Sequence, residues 1–169
     1  MSRFPRKIRL KTRFMVATSA VVLALMVIII VLVGNRSSRS IKQEVEVRGF
    51  AVAHSIAAVS TQALVTYNYI TLEQNAEQAS QGADIAYVII LDKEKKVAAF
   101  SGHSGWQGKY LDDSVNRKAL SANTAVIQSV LWEETNERVL DIAVPVFIPG
   151  SEMKWGTVRV GLSLERMYW

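Results

Sequence analysis

Ile85-Ala86-Tyr87-Val88-Ile89-Ile90-Leu91 is a short run whose only side-chain polar atom is the hydroxyl of Tyr87. Four of its residues are β-branched. Gly82 lies just upstream, and the charged turn Asp92-Lys93-Glu94-Lys95 follows. A run this short and this apolar, bounded by turn residues, predicts a strand covered on both faces. Going downstream, residues 96–101 read as an antiparallel partner, and Gly102-His103-Ser104-Gly105-Trp106-Gln107-Gly108 as a glycine-rich loop. A helix over residues 113–121 is expected, with Asp112 or Asp113 as its cap. Residues 124–132 and 138–147 form the next strand pair around the turn Glu133-Glu134-Thr135-Asn136-Glu137. Leu140, Ile142, Val144 and Val146 alternate there with Asp141, Ala143 and Pro145, the period of a half-buried strand. Residues 155–162 make a fifth strand, with Val158, Val160 and Leu162 on one face. Ser163 is placed to cap a terminal helix over residues 164–169.

Upstream of Gly82 the period is helical. Val45, Gly49, Val52, Ile56, Val59, Ala63, Thr66 and Ile70 recur at alternating steps of four and three. The stripe suits a dimer partner or the chain's own sheet, and Gly49 and Ala63 permit close approach in either case. No proline occurs between Pro5 and Pro145, so one rod ending near Gly82 is expected, with a possible break at Gly34-Asn35. The fold class that follows is α+β: a long helix packed on a five-stranded antiparallel sheet.

The rod is expected to begin in a membrane. Residues 14–33 are apolar except for Thr18 and Ser19, and as a helix they span ~30 Å, the thickness of a bilayer's hydrocarbon core. All six basic residues ahead of them (Arg3, Arg6, Lys7, Arg9, Lys11 and Arg13) lack an acidic counterpart. Beyond Val33 the 14 basic and 15 acidic residues nearly cancel. The net charge of +5 is thus a topology signal that places the N-terminus in the cytoplasm. It is not the footprint of a nucleic-acid partner, since no basic stripe with interleaved aromatics accompanies it. A cleaved signal peptide would have a shorter apolar stretch and small residues at its end. Leu32-Val33-Gly34-Asn35 lacks that ending, so a retained anchor is expected. The domain reading is a basic tail over 1–13, an anchor over 14–33, a long extracytoplasmic helix over 34–82 and a sheet domain over 83–169. The chain has no cysteine, which excludes disulfides, thiol catalysis and cysteine–zinc sites.

Asp84 to Asp92, Leu140 to Val146 and Trp155 to Ser163, in that order behind a basic-tailed anchor helix, resemble three strands of the extracytoplasmic PAS-like sensor domains known as the Cache or PDC family. These belong to bacterial histidine kinases, chemoreceptors and cyclic-dinucleotide cyclases. The resemblance runs from Phe14 to Trp169. It implies a ligand-sensing input domain of a receptor in the bacterial inner membrane, periplasmic, with an organic acid or amino acid as ligand and with the helical stripe as the frame of a homodimer. Family members continue through a second membrane helix into a cytoplasmic output domain. The chain stops at Trp169, where that helix would begin, so truncation or a separate partner protein is expected.

The chemistry-bearing residues point to binding. His54 and His103 lack a second ligand at metal spacing, no nucleophile–base pair is evident, and the glycines of the loop match neither G-x-S-x-G nor G-x-G-x-x-G. No enzyme activity, metal or cofactor is therefore expected. His103, Trp106 and Tyr110 give one loop an imidazole, an indole and a phenol, a set suited to a small anion or polar organic molecule. The resemblance implies that this segment, residues 101–123, closes over the ligand. A loop that merely packs Trp106 on the domain is the plainer alternative. Tyr87, Asp141 and Arg159 fall on strands, where they can face a pocket or pair across a solvated sheet face. The ligand-binding set is thus Tyr87, His103, Trp106, Tyr110, Asp141 and Arg159. A membrane-anchored assembly subunit of a secretion or pilus system shares the helix-then-sheet order. The absence of an acid in residues 14–33 weakens its pilin version.

Overall fold

In the computed structural model the described backbone covers residues 10–166; within the first helix, side chains are described at 15, at 18–30 and from 46 onward. Along the chain come α1 (Leu10–Val65), α2 (Tyr69–Ser80), β1 (Ile85–Asp92), β2 (Val97–Phe100), a 3₁₀ turn (Ser104–Trp106), α3 (Ser114–Ser121), β3 (Val126–Trp132), β4 (Glu137–Phe147) and β5 (Lys154–Ser163). The chain divides into two compact units, residues 1–44 and residues 45–169.

In the first unit, Met15 and the large apolar side chains from Val21 to Ile30 are all more than half exposed. Among the described residues no helix is long and apolar enough to cross a membrane.

The second unit is a five-stranded antiparallel sheet in the order β2-β1-β5-β4-β3. Strand alternation divides its side chains between two cores. Val88 and Ile90 of β1, Leu140, Ile142, Val144 and Val146 of β4, and Val158, Val160 and Leu162 of β5 pack with Ala53, Ile56, Ala57, Ala63 and Leu64 of α1 and Leu72 and Ala76 of α2. Tyr87, Ile89, Leu91, Val97, Phe100 and Val139 form the core of the opposite face, joined by Leu111, Leu120 and Trp132. β1 is therefore covered on both faces, as its unbroken apolar run predicts.

α1 lays its stripe on its own sheet. Gly49, Ile56 and Ala63 are buried, whereas Val59, at the same spacing, is 60% exposed and Ile70 is 72% exposed. The buried set Ala53, Ile56, Ala57, Ser60, Ala63 and Leu64 recurs at steps of three and four, one apolar face of the helix turned to the sheet.

The helix also stops earlier than Gly82. Tyr67 takes a left-handed backbone (φ 53°). Asn68 N–H donates to Ala63 O (2.9 Å) and Tyr67 N–H to Leu64 O (3.3 Å), a Schellman closure. The Asn68 side chain then accepts from Thr71 N–H at 3.2 Å and opens α2. Tyr67 occupies a conformation usual for glycine, with its ring 6.3 Å from that of Trp155 and with the Lys93 ammonium 5.3 Å from its centre. No glycine or proline marks this corner, which is why it escapes a spacing argument. At the C-terminal end Ser163 Oγ accepts from Arg166 N–H at 3.3 Å, the expected cap; residues 167–169 of the expected terminal helix lie outside the described residues.

Candidate functional site

A cavity of about 440 Å³ lies on the sheet face opposite α1. Its floor comes from β1 and β5, one wall from β3 and the β3–β4 turn, and its cover from the 3₁₀ loop and the start of α3. Tyr87, Ile89, Phe100, Val130, Trp132 and Arg159 line the inner part, and His103, Trp106, Asp113, Ser114, Glu133 and Glu134 lie nearer the mouth.

A buried polar cluster underlies it. The Arg159 side chain is 4% exposed and that of Asp141 0%. Arg159 Nη2 donates to Asp141 Oδ2 at 2.9 Å and Nε at 3.1 Å, while Nη1 donates to Asn116 Oδ1 at 3.1 Å. The Tyr87 hydroxyl donates to the same Asp141 oxygen at 2.6 Å. Asp141 and Tyr87 both stand opposite Gly161 of β5. A side chain at 161 would collide with the Tyr87 ring, so this glycine makes room for the phenol. Burial pushes the Tyr87 phenol far above its ordinary range, and the neighbouring Asp141 charge pushes it further. Burial disfavours the Arg159 charge, but Asp141 and Tyr87 hold the guanidinium above its usual value. A full-strength ion pair thus sits under the cavity.

The same cluster fixes the cover. Asn116, fully buried in α3, gives its side-chain N–H to Leu111 O (2.8 Å), and Asp113 caps the helix by accepting from Asn116 N–H (2.6 Å). At the other end of α3, Lys154 Nζ donates to Leu120 O (2.9 Å) and Ala122 O (2.7 Å). Partial burial lowers the Lys154 pKa, with Lys95 adding to the effect. The loop turns at Gly102 and Gly108, both in the left-handed region (φ 74° and 77°) that favours glycine. His103 clasps it: Nδ1 stands 3.0 Å from Ser101 O and Nε2 2.6 Å from Glu134 Oε1. Gly102 N–H donates to the Glu77 carboxylate of α2, a direct hydrogen bond from the cover to that helix.

Four of the sequence-predicted residues therefore converge on one cavity: Tyr87, His103, Trp106 and Arg159. Asp141 lies behind them as the partner of Tyr87 and Arg159, and the pair is buried, which corrects the alternative of a cross-strand pair on a solvated face. Tyr110 does not join them. It is 60% exposed, bridges to Lys96, and its ring centre lies 5.8 Å from the Lys96 ammonium. Spacing missed Phe100, Trp132 and Asn116. Trp132 is the one with a signal, as an aromatic closing a strand at a turn. Glu133 and Glu134 read as solvated turn charges, yet they stand at the mouth. Among the described residues no group of three His, Cys, Asp or Glu is arranged to hold a metal ion. His54 is exposed, against Phe50 at a ring separation of 4.1 Å.

Residues 36–168 match the family model described as "Single cache domain 3". The chain belongs to this family, as the order of its strands had implied. No curated protein sequence matches it. Among solved structures it is similar to the sensor domain of Escherichia coli DcuS, with 17% identity over 72% of this chain and 90% of that one and a TM-score of 0.58. It is also similar to the sensor domain of the Vibrio cholerae histidine kinase DctB (15% identity, 79% and 54% of the two chains, TM-score 0.63). A third is the sensory domain of the Campylobacter jejuni chemoreceptor Tlp3 with isoleucine bound (13% identity, 77% and 56%, TM-score 0.60). The chain spans just over half the length of the DctB and Tlp3 domains. At these identities the likeness is one of fold.

Proposed function

We propose that this chain is the ligand-sensing input region of a bacterial membrane receptor. A small molecule enters the cavity between the sheet and the cover formed by residues 101–123, and its binding shifts how α1 and α2 pack on the other side of the sheet. The observation that carries this reading is the cavity itself: it lies over a buried Arg159–Asp141–Tyr87 cluster and under a loop that turns at two glycines. Family membership supports it, and so do the similar Tlp3 structures with isoleucine and L-valine. Organic acids and amino acids are the ligand classes to try first. Glu77 supplies a coupling route, because a displaced Gly102 pulls on α2 directly. Coupling requires that the ligand bind one packing of the domain more tightly than the other.

In this reading residues 14–33 are the anchor, the basic tail is cytoplasmic, and the sheet domain is extracytoplasmic. The apolar content of residues 14–33 supports it, as does the exposure of Val21 to Ile30, which water does not favour but lipid does. Two copies pair along α1, where Val59 of the stripe and Val47 beside it are exposed. The domain assignment stays as 1–13, 14–33, 34–82 and 83–169, with the corner at Tyr67 inside the third segment.

The test is a thermal-shift screen of the full chain in lipid nanodiscs against organic acids, amino acids and amines, read together with tryptophan fluorescence. Stabilisation by RT ln(1 + [L]/Kd), with a change in the emission of Trp106 and Trp132, is the expected result. Silence across the whole screen in both readouts removes direct sensing.

A further inference from the structure

We propose that the free edge of β3 pairs with the same strand of a second copy of this chain, antiparallel about Ser129, so that two sheets join into one.

The two edges of the sheet are built differently. β2, at one edge, is four residues long, and the loop that follows covers its outer side. Val97 N–H donates to Lys109 O at 2.9 Å, Gly108 N–H donates to Val97 O at 2.8 Å, and Lys96 bridges to Tyr110. β3, at the other edge, is seven residues long and pairs with β4 alone. Along an antiparallel edge strand every second residue turns its N–H and C=O away from the neighbouring strand. Among the described residues nothing bonds to these outward groups of β3. Proteins guard such an edge with charges, prolines or bulges, or cover it. β3 has none of these guards. Its register with β4 runs unshifted from Val126 to Trp132, and no charged residue, proline or glycine occurs from Ala119 to Trp132. An open edge of this kind is completed by another strand.

The side chains select which strand. Ile127, Ser129 and Leu131 are the exposed residues of β3, with Ile127 39% and Leu131 55% exposed. A two-fold axis at Ser129 sets Ile127 opposite the partner's Leu131, Gln128 opposite the partner's Val130 and Val126 opposite the partner's Trp132. Both exposed apolar side chains then meet an apolar partner, and directly opposed pairs of this kind are what stabilises a sheet. Glu133 falls opposite Ala125, so no like charges meet. An axis at Val130 would set Glu133 against Ile127, and an axis at Gln128 would set Ile127 against Ser129 and Leu131 against Ala125. The strand is therefore complementary to itself in one register. This contact uses a different element from the pairing along α1. β3 also supplies Val130, Leu131 and Trp132 to the cavity wall, so an added strand braces that wall.

The chain has no cysteine, so Ser129→Cys in the full chain places one thiol per copy at the axis. Residues directly opposite in an antiparallel pair have Cα atoms about 4.5–5.5 Å apart, within reach of a disulfide. Mild oxidation of membranes from the expressing cells should give several-fold more disulfide-linked dimer than Ser151→Cys, at an exposed turn. Adding Ile127→Lys with Leu131→Lys sets like charges opposite each other twice and should remove most of the cross-link. Adding Ile127→Lys with Leu131→Glu instead sets opposite charges together in the same register and should restore it, which separates loss of pairing from loss of folding. A yield at Ser129→Cys no greater than at Ser151→Cys, a cross-link indifferent to the two lysines, or no recovery with the lysine–glutamate pair would each overturn the proposal. Cross-linking of Ser129→Cys to a different protein would also overturn it, and would give the edge to a foreign strand.

Discussion

Asp141 holds three roles in one carboxylate: counter-ion of Arg159, acceptor for Tyr87, and support for the cavity floor. A buried pair adds little net stability over an apolar pair, but removing one member strands the other charge. Asp141→Ala is therefore expected to cost about 3–5 kcal/mol in chemical denaturation. The double variant Asp141→Leu/Arg159→Met should recover much of that loss, since it removes both charges. Tyr87 yields a prediction with a definite sign. Its folded pKa is raised above the ordinary value near 10, so the folded state keeps a proton that the unfolded state releases. The contribution of Tyr87 to stability is fully present below pH about 10 and declines as pH rises beyond it. In a base titration followed by phenolate absorbance, Tyr87 should remain silent until the domain unfolds. Residue types alone pointed to Tyr87, Asp141 and Arg159, because polar groups within strands must find partners. Whether those partners were water or each other depended on what covered the sheet.

At the scale of elements, alternation along β1, β4 and β5 made the sheet legible, and the observed strands lie within two residues of those expected. The turn charges Asp92 to Lys95 were equally plain, and of the two possible caps, Asp112 and Asp113, it is Asp113 that opens α3. The corner between α1 and α2 was not, because a tyrosine supplies the left-handed residue and the neighbouring Trp155 and Lys93 come from distant parts of the chain. Gly161 is another position of this kind. In sequence it is a glycine inside a strand; in the sheet it is the gap that Tyr87 fills. Gly161→Ala should displace the phenol from Asp141 and destabilise the domain by about 1–3 kcal/mol, the usual range for overpacking a core. Denaturant midpoints check the stability, and the base titration above should then detect Tyr87 at lower pH.

For the whole molecule, the absence of cysteine gives a clean background for testing the proposed topology. Single variants Ser2→Cys and Ser151→Cys in intact cells, treated with a membrane-impermeant maleimide, should label only at 151. Labelling at position 2, or equal labelling at both, would place the basic tail and the sheet domain on the same side and end the receptor reading. The sequence by itself determined the α+β class and the strand order along the chain, because both rest on local period and turn chemistry, and the likeness of three of its strands pointed to the family. Only the tertiary structure decided that Gly49, Ile56 and Ala63 of the stripe pack on the chain's own sheet while Val59 does not, that Tyr110 stands apart from His103 and Trp106, that Phe100 and Trp132 complete the cavity, and that Asn116 joins the polar cluster beneath it. Those relations join residues tens of positions apart through strand register and packing, and periodicity carries information about one element's faces but none about which distant side chain will meet them.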